Sequence, residues 1–316
     1  MEVYDDFRGL KERYPSIVLS LGNFDGVHLG HRHLIGELVR IAGEVGATPV
    51  VFTFDPHPAA VLSPNHAPPL LLTREAKERF LGLLGVKVLI CVSFTVELAR
   101  LSPEDFVRQV LCRELAVREV IVGYNFTFGH RGAGRAVDLQ RYGMRYGFGV
   151  HIVPPVEVAG QVVSSTLIRN LLGTGDVERA RQYLGYSPFV EGRVIAGDQR
   201  GRILGFPTAN VAVPDNLLLP ANGVYAVRVR LQDDVFWGVA NVGTRPTFVA
   251  DRQRPEVEVH VLDFAGDLYG REIKVMFVQR LRAERKFNDP AELVTQIRRD
   301  IGHVRAMRHK NAEGSI

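Results

Sequence analysis

Two hydrophobic periodicities divide this chain, and the change between them falls near Ser187. Before it, continuous apolar runs ("SIVLSL", "TPVVFTF", "VKVLICVSF", "EVIVG", "VHIVPPVEV") alternate with helix-like segments. Leu34, Ile35, Leu38, Ile41, Ala42 and Val45 recur at helical spacing and make one apolar face. "TREAKERFLGLLG" opens on a Thr cap, and "SPEDFVRQVLCREL" opens on Ser, Pro and an early Glu. Apolar strands alternating with helices predict an α/β domain whose parallel sheet is covered on both faces. After Ser187 the runs "GVYAVRVRL", "DVFWGVANV", "EVEVHVLDF" and "EIKVMFVQRL" are separated only by turn residues. Many short strands without helices between them predict an antiparallel barrel or sandwich. A last helix is predicted at "NDPAELV", with Asp289 as N-cap, Pro290 as first helical residue and Glu292 as capping acid. The expected domains are therefore 1–186 and 187–316.

Composition narrows the class. The 316 residues suffice for two domains at about 150 residues each. Hydrophobic content of 46% and charged content of 23% suit a globular chain with full cores. No apolar run reaches the length of a membrane-spanning helix, and the acidic, polar N-terminus lacks the order of a secretory signal. Cys91 and Cys112 form no metal clip or redox motif, so reduced thiols and a cytoplasmic location are expected. The net charge of +4 suits nucleic acid or a phosphorylated small molecule. The cations are scattered, without an aromatic-basic block, so neither nucleic acid nor membrane is expected as a partner. Self-association stays open.

"GNFDGVHLGH", from Gly22 to His31, directly follows the first apolar run. A helix N-terminus favours an anion, and imidazoles there donate to phosphate oxygens. Three-residue spacing keeps His28 and His31 on one side of the first turn. Gly22 and Gly26 are expected to permit a tight turn, and Gly30 to leave room beside a nucleotide. By spacing alone the histidines also read as surface residues at a helix start. "VSSTLIRN", from Val163 to Asn170, places Ser164, Ser165 and Thr166 before a helix, with Arg169 one turn in. That is either a second anion cradle or an over-supplied N-cap.

These two stretches, with "FDPHP" (54–58) and "VGYNFTFG" (122–129) in the same order, resemble the adenylylating module of the bacterial bifunctional riboflavin kinase/FAD synthetase family. The resemblance implies a Rossmann-like nucleotidylyltransferase domain that moves AMP from ATP to FMN, giving FAD and pyrophosphate. His28 and His31 would then be catalytic, with Asn23, Gly30, Ser164, Ser165, Thr166 and Arg169 around the ATP phosphates. Phe54, His57, Asn125, Phe126 and Phe128 would hold the flavin, although each aromatic also reads as core. Many relatives carry Asp where Asn125 stands.

"GRILGFPTAN" (201–210) bends at Gly205 and Pro207, then presents the neutral oxygens of Thr208 and Asn210. Such oxygens suit a hard cation carrying phosphates, and the stretch also reads as a turn entering a strand. With "GVYAV", "ANVGTRPTF", "EVHVLDF", "LYG" and "RAERKF" it resembles the riboflavin kinase domain, a small barrel with a C-terminal helix that has no P-loop. The resemblance implies transfer from ATP to riboflavin, giving FMN and ADP. It makes Glu258 the general base and places Mg²⁺ on Thr208 and Asn210. Gly201, Arg202 and Gly205 would cover the nucleotide, with Asn241, Arg285 and Phe287 toward the flavin. Strand alternation puts Glu256, Glu258 and His260 on one face. A competing reading is a nucleotidylyltransferase for another phosphate joined to a barrel that only binds flavin or RNA. Thr208, Asn210 and Glu258 argue against it. Residues 187–316 are expected to act as a kinase alone, if that barrel folds independently.

Overall fold

The computed structural model describes residues 1–197, 201, 204–244, 255–287 and 289–313. The chain packs as two compact units, Met1–Ser165 and Thr166–Ile316.

The first unit is built on β1 (Glu2–Tyr4), β2 (Ile17–Leu21), β3 (Thr48–Phe54), β4 (Val88–Val92) and β5 (Val117–Gly123). Two short strands, β6 (Thr127–Phe128) and β7 (Gly134–Arg135), precede β8 (Gly149–Val153). The sheet order is β1-β4-β3-β2-β5-β8, with every pairing parallel. Alternate strand residues feed different cores. Ile17, Leu19, Phe52 and Ile90 join one, and Val18, Val51, Leu89 and Ile121 join the other. Both faces are covered, as continuous apolar strands require.

The helix Leu29–Val45 buries Leu34, Ile35, Leu38, Ile41 and Ala42, and Val45 packs against them half-buried. Thr73 and Ser102 cap their helices as predicted, accepting from the amides of Ala76 at 3.2 Å and Asp105 at 3.0 Å. "VHIVPPVEV" is not one strand. Prolines 154 and 155 separate β8 from β9 (Glu157–Val158), which pairs with β10 (Gln161–Val162). From β2 the chain moves to β3 and β4 on one side and to β5 and β8 on the other. The carboxyl ends of β2 and β5 therefore flank the switch point where parallel sheets bind ligands.

In the second unit β11 (Phe189–Ile195), β12 (Ala209–Val211), β13 (Gly223–Leu231), β14 (Asp234–Thr244), β15 (Pro255–Val261) and β16 (Glu272–Arg282) close a barrel. Its order is β11-β12-β15-β14-β13-β16, and all pairings are antiparallel. Along β15, Val257, Val259 and Val261 are buried, while Glu256, Glu258 and His260 alternate with them. The last helix, Pro290–Glu313, starts where the Glu292 amide donates to Asp289 at 2.8 Å. It packs Ile301 and Val304 against Ala226 and Leu262. Asp300, almost without exposed surface, accepts from Arg282 at 2.9 and 3.0 Å and from Gln296 at 2.8 Å. Truncating either charged partner strands a buried charge, a loss of about 3–5 kcal/mol.

The expected boundary at 186/187 and the packing boundary at 165/166 differ by a pair of helices, Ser165–Thr174 and Val177–Leu184. They bury Ile168, Leu171, Leu172, Val177, Ala180, Tyr183 and Leu184. The carbonyl of Leu172 accepts from the Ala221 amide at 2.9 Å, and that of Thr174 from Arg280 at 3.0 Å. These bonds tie the pair to the barrel, although its periodicity continues that of the helices before it.

Candidate active sites

The Gly22–His31 turn leaves β2 with an unusual backbone. Gly26 takes φ +85°, as a glycine can, but Phe24 (+51°) and Val27 (+34°) are also left-handed. A β-branched residue there is strained. The Val27 amide donates to the Phe24 carbonyl, and Arg32 Nε donates to the Val27 carbonyl, both at 3.2 Å. Gly22 has no positive φ, and a Cβ there would press on the Phe24 ring at 3.2 Å. Asp25, buried, accepts the amides of Leu71 and Leu72 at 3.0–3.2 Å. Ser165 donates its hydroxyl to the Asp25 carbonyl at 2.9 Å, which ties the start of that helix to the turn.

His28 caps the helix: its Nδ1 accepts the His31 amide at 3.2 Å. In the neutral ring the proton is then on Nε2, where it can donate to an anion. The His28 and His31 rings stack, 3.6 Å between centroids and 15° between planes, and Phe24 meets His31 edge-on at 5.4 Å. Two stacked imidazoles cannot both be charged cheaply. Burial, then the neighbouring His28 and Lys77, holds His31 well below the usual histidine range. His31 Nδ1 is buried without a hydrogen-bond partner, an orphan of the kind a bound ligand satisfies. Gly30 makes its room for protein, since a Cβ there would meet the His28 ring at 3.2 Å.

Beyond β3, His57 caps Pro58–Leu62 by accepting the Ala59 amide on Nδ1 at 3.2 Å. Its other ring nitrogen lies 3.1 Å from the Asn23 carboxamide. Asn23, Phe54 and His57 share a small cavity with Asp25, Asp55, Arg74 and Lys77. Beyond β5, Asn125 is exposed and Phe126 half-buried. Phe128 is buried, packed at 6.0 Å from Phe106, 5.7 Å from Phe126 and 6.5 Å from Tyr142. On β6 it lies opposite Gly134 of β7. Ser164 is half-buried; Thr166 is exposed and Arg169 half-buried, and both belong to the second unit.

The barrel site is a matter of register. Glu258 on β15 lies directly opposite Asn210 on β12 and opposite Asn241 on β14. Directly opposed residues share a face, so three expected site residues form one row. Asn210 is buried, and a Cβ on Gly197 would overlap its carboxamide. Asn241 donates to Glu284 at 3.2 Å. His260, on the same face as Glu258, contacts the Pro207 carbonyl through Nδ1 at 2.8 Å. A carbonyl only accepts, so the proton is on Nδ1 and the imidazole anchors "GFPTAN". Gly205 turns that stretch at φ +84°, and Gly201 accepts the Phe206 amide at 2.8 Å. Arg202 lies outside the described residues. Thr208 lines a cavity of about 500 Å³ with Val259, Phe264, Leu268 and Tyr269, a volume that suits a small organic ligand. Arg285 stacks on Phe287 at 4.6 Å, bonds Gln296 at 3.2 Å and pairs with Glu292 at 3.5 Å. The structure thus engages both with their own chain near the last helix.

Residues 10–167 match the FAD synthetase family and residues 184–308 the riboflavin kinase family. The chain is similar to the bifunctional riboflavin kinase/FMN adenylyltransferase of Bacillus subtilis, 41% identical over 92% of either chain. The Pseudomonas fluorescens enzyme of the same description is 38% identical over 97% of this chain and 98% of its own. The chain belongs to the bifunctional riboflavin kinase/FMN adenylyltransferase family. A Streptococcus pneumoniae crystal structure described as a macrolide-efflux protein has the same fold. It is 33% identical with a TM-score of 0.84, over 92% of this chain and 94% of that one. Among the described residues no helix is long and apolar enough to cross a membrane. Both cysteines are free; Cys91 is buried and Cys112 half-buried.

Membership in this family leaves several site residues that sequence reasoning missed. Phe24 and Asp25 lie within the histidine turn, Arg74 and Lys77 share a cavity with its Asn23, and Phe264, Leu268 and Tyr269 wall the barrel cavity. "FDG" carried Phe24 and Asp25 in plain view, but their roles depend on a backbone conformation that residue type does not announce.

Proposed function

We propose that this chain converts riboflavin to FMN in its barrel and FMN to FAD at the carboxyl edge of its parallel sheet, using ATP in both steps and working in the cytoplasm. The row Asn210–Glu258–Asn241, set by strand register, carries the kinase reading. Glu258 takes the proton from the riboflavin 5′-hydroxyl as that oxygen attacks the γ-phosphorus, and ADP leaves with the bonding pair. Thr208 and Asn210 fit Mg²⁺, because their neutral oxygens stand two residues apart beside a carboxylate. Among the described residues no group of three or more His, Cys, Asp or Glu could hold a metal, so the ion would be shared with phosphate. When bound, it neutralises phosphate charge.

In the first unit the phosphate of FMN attacks the α-phosphorus of ATP, and the Pα–O bond to pyrophosphate breaks. No protein nucleophile is needed; orientation and charge stabilisation suffice. His28 supplies its Nε2 proton as a hydrogen-bond donor, and His31 its unpartnered nitrogen. Asn23, Gly30, Ser164 and Ser165 shape the phosphate end, joined by Thr166 and Arg169. Phe54, His57, Asn125 and Phe126 take the flavin, and Asn241, Arg285 and Phe287 take the riboflavin side of the barrel.

Incubating the chain with riboflavin, ATP and Mg²⁺ and separating the flavins tests this. FMN and FAD should both form. Glu258→Ala should stop FMN formation, by about 10²–10⁴-fold, and leave FMN-to-FAD conversion intact. The double variant His28→Ala/His31→Ala should do the reverse. A chain producing neither flavin overturns the proposal.

A further inference from the structure

Arg74 and Lys77 sit in the first turn of the helix Arg74–Leu83, where positive charge opposes the helix dipole. Arg74 is answered by Glu78 at 2.8 Å, Asp5 at 2.6 Å and Asp55 at 3.6 Å. Lys77 is not: its ammonium has no hydrogen-bond or ion-pair partner among the described residues. It is half-buried and lines the cavity that also holds Asn23, Phe54 and His57. The two carboxylates in that wall are committed elsewhere. Asp55 faces Arg74, and Asp25 accepts the Leu71 and Leu72 amides. Those same Asp25 bonds tie the histidine turn to the segment that enters the lysine's helix, so the position of Lys77 is set by the turn itself. The charge of Lys77 also reaches the His31 imidazole. An unpaired cation held against the dipole, in a pocket that Asn23 of the histidine turn also lines and with its charge felt at His31, suits a polyanion.

We propose that Lys77 is a catalytic cation of the adenylyl transfer, binding phosphate oxygens where the FMN phosphate meets the α-phosphorus of ATP. This rests on the adenylyltransferase reading of the pocket. The site has no P-loop, and Lys77 supplies from a distant helix the ammonium that such a loop would carry. The step itself is unchanged: the FMN oxygen bonds to phosphorus and pyrophosphate departs with the electron pair. Lys77 keeps its proton and stabilises the charge spread over the oxygens in between.

The test uses the full chain with Lys77→Met and Lys77→Arg. FMN-to-FAD conversion and riboflavin phosphorylation are measured in the same preparation, with the thermal melt of each variant. Lys77→Met should lose about 100-fold in adenylylation kcat, with riboflavin phosphorylation within twofold and an unchanged melt. It should also weaken product inhibition by inorganic pyrophosphate. Lys77→Arg should recover at least tenfold of the lost rate. Adenylylation by Lys77→Met within threefold of the unaltered chain overturns the proposal. A loss that Lys77→Arg does not relieve, or that comes with a lowered melt, also overturns it and makes Lys77 structural. If the unaltered chain makes no FAD from FMN and ATP, the reading of the pocket falls instead.

Discussion

The two sites of this chain are made in opposite ways. The barrel site is written in strand register: Asn210, Glu258 and Asn241 line up because three regular strands pair without a slip between them. The histidine site is written in irregular backbone. It takes a turn with two left-handed non-glycine residues and a carboxylate that reaches to Leu71 and Leu72. A hydroxyl also arrives from Ser165. A register-built site inherits its precision from the sheet. A loop-built site needs separate ties for each part, and here Asp25 supplies several of them.

Small steric insults should separate the two designs. The largest effect is expected at Gly197→Ala, whose new methyl overlaps the Asn210 carboxamide. Riboflavin phosphorylation should fall about 100-fold, the scale of a displaced catalytic group, while FMN adenylylation holds. Retained kinase activity would show that Asn210 can move without loss. His260→Ala removes the 2.8 Å bond to Pro207. It should lower phosphorylation about tenfold by loosening "GFPTAN", chiefly through the KM for ATP. Gly30→Ala crowds His28 at 3.2 Å, which a few tenths of an ångström can relieve. A loss of about threefold to tenfold, confined to adenylylation, is expected. If Gly30→Ala costs more than Gly197→Ala, the loop site is the stiffer of the two.

The smallest effect is in pH. Burial holds His31 below the ordinary histidine pKa. The unfolded chain then binds this proton more readily, so stability is full above about pH 6.5 and declines as pH falls below it. Melting temperature measured from pH 7.5 to 5.5 should drop, and His31→Gln should flatten that slope. An equal slope in both proteins would assign the pH dependence to other groups.

The barrel was legible for the same reason that it is rigid. Period-two alternation in "EVEVHV" puts Glu258 and His260 on one face from sequence alone, and the structure adds only which strands lie beside it. The parallel sheet was equally legible, since apolar runs and the Thr73 and Ser102 caps act locally. The histidine site was legible in its motif but not in its surroundings. Nothing local marks Phe24 and Val27 as left-handed, because glycine is the residue that usually signals it. Lys77 reads as one more charge on an amphipathic helix until the fold brings its pocket to Asn23. Alternating aromatics in "YNFTFG" do not declare which ring turns inward, and Phe128 is the one that does.

The helix pair that packs with the barrel makes the two activities awkward to part. A fragment starting at residue 187 discards the carbonyls of Leu172 and Thr174 on which Ala221 and Arg280 lean. A fragment ending at 186 carries two helices cut away from their core. A break at 165/166 respects packing but divides "SSTLIR", leaving Ser164 and Ser165 on one piece and Thr166 and Arg169 on the other. Each of these cuts therefore removes a tie of the barrel or divides a motif, so the seam between the two activities follows no single break in the chain.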